Sequence, residues 1–106
     1  MTTITRDILS ELKHSIKGLY GDRLKNTILF GSRARPDHHP ESDLDLLVVL
    51  DLVSNWEAES ERLDDIVSEL SLDRDVVIAC FVMGEKEFQN DQSPFLMNVR
   101  REGVTV

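Results

Sequence analysis

Asp43 and Asp45 stand two residues apart at the opening of an apolar run, DLDLLVVL. On an extended strand the side chains at i and i+2 project to the same side, so both carboxylates face one way at the strand's exposed end. Like charges held that close repel each other, and one takes up a proton unless a cation lies between them. Hard oxygen donors so arranged suit Mg²⁺ or Mn²⁺ bound together with a substrate phosphate. The same pair also serves as plain polar termination of a strand, so the spacing alone does not choose between the two. Upstream, Gly31-Ser32 directly follow the short apolar run ending at Phe30. A glycine there lets the backbone turn, and Ser32 offers a hydroxyl and main-chain N–H groups to an anion. No Gly-Lys-Ser/Thr follows, so this is not a Walker A loop. Arg33 and Arg35 either neutralise phosphate charge or pair with Glu41 or with helical carboxylates. His38 and His39 sit in a Pro-flanked stretch without a Cys or a spaced third His, and read as solvated loop residues.

The elements that must position these groups follow from periodicity. Ile8, Leu9, Leu12, Ile16, Leu19 and Tyr20 form one helical stripe, capped by Thr3 or Thr5 and ended by Gly18 or Gly21. Residues 26–30 read as a strand and 31–42 as a loop with two prolines. Residues 43–50 begin with alternation and finish as a continuous apolar run, the mark of a strand buried on both faces. Ser54-Asn55-Trp56-Glu57 has the form of a capping box. The helix it opens carries Trp56, Leu63, Ile66, Val67 and Leu70 on one side, with Trp56 as the expected anchor. Glu59, Glu61, Arg62, Asp65 and Glu69 lie on the other, a solvated face. Residues 75–83 (DVVIACFVM) form the next strand, with Cys80 in its core. A helix around Phe95, Leu96 and Val99 and a closing edge strand at 103–106 complete the chain. The strand–helix–strand piece 43–83 predicts a right-handed crossover joining parallel strands. The fold class is α/β (α+β): a small mixed sheet of three or four strands with flanking helices.

Composition limits what such a domain does. The 106 residues, 41% hydrophobic, suffice for one core and so for one domain spanning 1–106. With 20 acidic and 12 basic residues the net charge is −8, which argues against a phosphate-gripping nucleic-acid binder. The acidity peaks between residues 52 and 75, at a net −6. A single cysteine and the absence of an apolar leader or membrane-length run point to a reducing, cytoplasmic setting.

Taken together, Gly31-Ser32, ten intervening residues and Asp43-Leu44-Asp45 resemble the signature of the DNA polymerase β-like nucleotidyltransferase superfamily. The longer run GSRARPDHHPESDLDLLVVLD is similar to the minimal nucleotidyltransferases, among them the MntA-type antitoxins of HEPN toxin–antitoxin pairs. Pro36 departs from the glycine usual there. The resemblance implies a polymerase β-like core and transfer of AMP from ATP to an acceptor hydroxyl. It implies two Mg²⁺ ions on Asp43, Asp45 and a third carboxylate, Asp75, with Asp73 as the alternative. It also implies nucleotide contacts from Gly31, Ser32, Arg33 and Arg35. The implied partner is a HEPN ribonuclease toxin, modified on a tyrosine, and the alternative is an antitoxin that neutralises its toxin by binding alone. Transfer to tRNA or to a small molecule fits the charge and the length less well.

Overall fold

The computed structural model describes residues 3–31, 34 and 43–106. Helix α1 (Thr3–Tyr20) leads through a 3₁₀ turn at Gly21–Arg23 into strand β1 (Leu24–Phe30). Strand β2 (Leu44–Leu50), helix α2 (Trp56–Arg74) and strand β3 (Ile78–Gly84) follow. Helices α3 (Glu85–Asn90) and α4 (Pro94–Glu102) and the short strand β4 (Val104–Thr105) close the chain. The sheet order is β3-β2-β1-β4. β2 runs antiparallel to β1 and parallel to β3, so the expected crossover is present.

Two apolar layers sandwich the sheet. On one face the α1 stripe (Ile8, Leu9, Leu12, Ile16, Tyr20) and the α2 stripe (Leu63, Val67, Leu70) cover Leu29, Leu44, Leu46, Val48, Leu50, Ile78 and Val82. On the other, Leu96 and Val99 of α4 cover Ile28, Leu47 and Val49. β2 lies between both layers, and each of its residues except Asp45 is buried. At about 1.5–3 kcal/mol per buried Leu or Val side chain, this strand contributes more to stability than any other segment of its length.

Beyond an earlier start of β1, the unexpected helix α3 and an exposed Leu19, four details differ from the sequence expectations. Trp56 does not anchor α2: at its first position the indole is 60% exposed, and Leu63, Val67 and Leu70 dock the helix instead. The N-cap is Asn55, whose side chain accepts from the Ala58 N–H at 3.1 Å, so the capping box is not formed on Ser54. β3 begins at Ile78 rather than residue 75, because α2 runs on to Arg74 and ends through Asp75 in the left-handed conformation (φ 51°). Glu59, assigned to the solvated face, is buried.

The burial of Glu59 has a visible cause. Arg23 Nη2 donates to Glu59 Oε2 at 2.8 Å, Arg62 Nη1 to Oε1 at 2.5 Å, and the Tyr20 hydroxyl to Oε1 at 3.4 Å. Arg23 Nε also reaches Asp51 Oδ1 at 3.2 Å, tying the end of β2 to the start of β1. Burial works to raise the Glu59 pKa, but the bonds from Arg23 and Arg62 outweigh it and hold the carboxyl below its ordinary range. Burial first, and then the Glu59 charge, push the Tyr20 phenol up to about 12. Both arginines keep water contact, so the network stabilises less than a dry ion pair would. Replacing Glu59 by Ala should cost about 1–2 kcal/mol in urea denaturation at pH 7. A folded pKa below the unfolded one gives stability above about pH 4.3 that is lost on acidification, so this difference should shrink as pH falls below that value.

Candidate active site

Asp45 is the one interruption of a strand otherwise sealed on both faces, and the surroundings are built around it. In the ladders Phe30 stands opposite Asp45 on one side and Ala79 on the other. Asp43 is exposed just ahead of the strand, where Leu44 N–H already bonds the Val77 carbonyl at 2.9 Å. The i, i+2 spacing therefore puts both carboxylates on the α4 side of the sheet, at the end where β2 begins. Burial first, and then the charge of Asp43, raise the pKa of Asp45. Among the described residues no lysine or arginine pairs with either carboxylate.

Gly31 closes one side. Its φ is +74°, a backbone conformation that favours glycine, and a Cβ there would stand 2.5 Å from Asp45 Oδ2. The residue is thus fixed twice, by the turn and by the carboxylate lying against its bare α-carbon. The Ala34 N–H donates to the Gly31 carbonyl at 3.2 Å. Ser32, Arg33 and Arg35, the other expected nucleotide contacts, lie outside the described residues, as do Pro36, His38, His39 and Glu41.

A feature missed in the sequence closes the other side. The rings of Phe30, Phe81 and Phe95 meet with centroids 5.4–5.7 Å apart. Phe30 belongs to β1 and Phe81 to β3, so their rings join across β2 immediately beyond Asp45, and Phe95 is brought in by the first turn of α4. The signal was available: Phe81 shares the side-chain parity of Ala79, the parallel partner of Asp45.

Asp75 and Asp73 lie at the C-terminal end of α2. Asp75 is the exposed left-handed cap of α2, three residues before β3, and Asp73 lies in the last turn of that helix. Among the described residues no three His, Cys, Asp or Glu side chains gather closely enough to hold one ion. The β3 positions facing the Asp45 side, Ala79 and Phe81, carry no carboxylate. Among the described residues the donor set is therefore two hard oxygen ligands at an open strand end with repulsion between them. That chemistry fits a divalent cation whose remaining ligands come from a substrate. Cys80, with burial and then Asp64 raising its thiol to about 12, is an inert core residue.

The family model of the nucleotidyltransferase domain matches residues 9–101, a span that includes Gly31, Asp43, Asp45 and the aromatic wall. The chain belongs to the nucleotidyltransferase domain family. Two relatives come from Methanocaldococcus jannaschii, and their names provisionally class them as protein adenylyltransferases. One is 35% identical over 96 residues (90% of each chain), the other 31% identical over 100 residues (94% of this chain and 96% of the relative). A solved toxin–antitoxin structure with AMP-PNP has the same fold, at a TM-score of 0.62 and 17% identity, over 89% of this chain and 68% of that one. A substituted MntA–HpeT toxin–antitoxin complex gives 0.61 at 15% identity, over 88% and 68%. The chain is thus a nucleotidyltransferase in class, with a mixed sheet and flanking helices.

The raised pKa of Asp45 carries a stability consequence for this nucleotidyltransferase. Its folded pKa exceeds the unfolded one, so the stability tied to the protonated form is present at low pH and lost as pH rises through the folded value. Asp45→Asn keeps the shape and removes the charge. It should raise the melting temperature above wild type at pH 7 in EDTA, and the gap should close below about pH 3.9, where Asp45 is neutral in both folded and unfolded states. A lower melting temperature for the variant at pH 7 would show that the charge is compensated within the chain.

Proposed function

We propose that this chain transfers AMP from ATP to a hydroxyl, a tyrosine in the favoured case, of a HEPN ribonuclease toxin, and so acts as its antitoxin. The observation that carries this reading is the Asp45 carboxylate lying against the bare α-carbon of the Gly31 turn, with Asp43 two residues before it on the same side of the sheet, which supports a cation-binding pair beside a phosphate-binding turn. The names of the two archaeal relatives support protein adenylylation. The fold shared with a toxin–antitoxin pair, and with one holding AMP-PNP, supports a toxin partner and a nucleotide ligand.

Asp43 and Asp45 would hold Mg²⁺, two ions in the fullest form of this reading. When bound, the metal supplies charge neutralisation along the triphosphate and lowers the acceptor's pKa. The chain's own residues do the rest. Gly31 and Ser32 would offer main-chain N–H groups to the β- and γ-phosphates, and Arg33 and Arg35 would add positive charge. The acceptor oxygen bonds to the α-phosphorus as the bond to the β-bridging oxygen breaks. Pyrophosphate leaves, and the acceptor's proton passes to solvent or to a site carboxylate. Catalysis of this kind is mainly positioning and charge stabilisation. Asp75, set at the α2 cap, is a lesser contributor here than Asp43 and Asp45.

A second reading, neutralisation by binding alone, is favoured by the exposed Trp56 on an acidic helix, a surface suited to a basic partner. One experiment separates the two. The chain is incubated with a HEPN toxin encoded beside it, Mg²⁺ and base-labelled ATP. Wild type should label the toxin, Asp43→Asn should lose at least about a hundredfold in rate, and Asp75→Asn should stay within about tenfold of wild type. Full neutralisation by an Asp43→Asn variant that transfers nothing would establish the binding reading instead.

A further inference from the structure

Phe81 and Phe95 remain 42% and 36% exposed although they touch each other and Phe30. Phe81 is the exposed position in the middle of β3, whose neighbours Cys80 and Val82 pack into the core. β3 is also an edge of the sheet, so among the described residues no strand lies beyond it. Three rings held in contact, two of them left in water, form an apolar patch attached to a charged site. A core needs no such exposure.

The register fixes where the patch lies relative to the chemistry. Directly opposed antiparallel residues such as Phe30 and Asp45 have Cβ atoms about 5 Å apart. Phe81 stands opposite Leu47, one same-face step further along β2. The rings therefore begin where the carboxylate ends, on the same side of the sheet. A nucleotide whose phosphates meet cations at Asp43 and Asp45 must send its nucleoside along one of the directions open from that point, and this one ends on aromatic faces. Aromatic side chains bind bases by stacking, an interaction indifferent to base identity because every base has a π-face. Met83 and Phe88 pack with Phe30 on this same layer and extend the apolar surface.

We infer that the Phe30–Phe81–Phe95 wall is the seat of the nucleobase, with Phe81 as its main stacking surface. The inference rests on the nucleotidyl-transfer reading and adds a base specificity to it. Purines, with the larger stacking area, are preferred over pyrimidines, and adenine and guanine are barely distinguished.

The test measures equilibrium binding to the full chain, in Mg²⁺, of ATP, GTP, CTP and inorganic triphosphate. Wild type should bind ATP and GTP within about threefold of each other and CTP more weakly. Phe81→Ala should weaken ATP about tenfold, the lower part of the range for losing one stacking partner, and leave triphosphate unchanged. Phe81→Leu, which keeps apolar bulk without a ring, should behave like Phe81→Ala, and Phe81→Trp should restore ATP binding. Unchanged ATP affinity in Phe81→Ala would assign the wall to another occupant, such as the protein acceptor, and overturn the inference. Equal losses for ATP and triphosphate would overturn it as well, by showing that the ring only supports Asp45. If wild type binds neither ATP nor triphosphate, the nucleotidyl-transfer reading itself fails.

Discussion

A carboxylate held in a strand that is buried on both faces is the constraint from which the rest of this structure follows. β2 is driven into the middle of the sheet by Leu44, Leu46, Leu47, Val48, Val49 and Leu50, all at most 1% exposed. Asp45 travels with them and arrives where its charge is poorly solvated, next to a second carboxylate. Nothing among the described residues neutralises it. The fold accommodates it by stripping the opposing backbone to a glycine and by ending the apolar layer in phenyl rings. The strand that is most deeply buried thus also carries a carboxylate whose charged form is disfavoured by burial and by its neighbour.

The opposite end of the sheet shows what the same chain does with a carboxylate that is structural. Glu59 is as buried as many core residues, yet two guanidinium groups and a phenol hold it, and its pKa lies below the ordinary range. Asp45 lies above its ordinary range. The contrast separates a charge paired within the chain from one without a cationic partner among the described residues. Among the acidic residues it sets apart a buried glutamate already paired, a carboxylate pair without a cationic partner among the described residues, and a solvated acidic face on α2.

Much of this was legible in the sequence because the relevant signals are local. The i, i+2 spacing of Asp43 and Asp45, the glycine after an apolar run and the two-faced burial of residues 46–50 all depend on a few neighbouring positions. The crossover and the short closing strand followed from element order. What escaped depends on where distant segments meet. Glu59 looks solvated on any helical projection, and its burial is set by Arg23, thirty-six residues away, folding back against it. Trp56 looks like an anchor because it is large and apolar, but it occupies the first helical position, beyond the reach of the sheet. Residue 75 reads as strand because Val76 and Val77 are β-prone, whereas the helix before it needed a left-handed cap there. The aromatic wall draws one ring from each of three separate elements, and no window of sequence contains it.

The central claim is that Asp43 and Asp45 form one cation site facing a nucleotide. Its most direct test is a crystal structure with Mn²⁺ and a non-hydrolysable ATP analogue, in which anomalous scattering locates the metal. The structure described here predicts a peak between the two carboxylates, at about 2.0–2.3 Å from an oxygen of each, with phosphate oxygens completing its shell. A nucleotide bound with its manganese elsewhere, leaving Asp43 and Asp45 without metal, would contradict it.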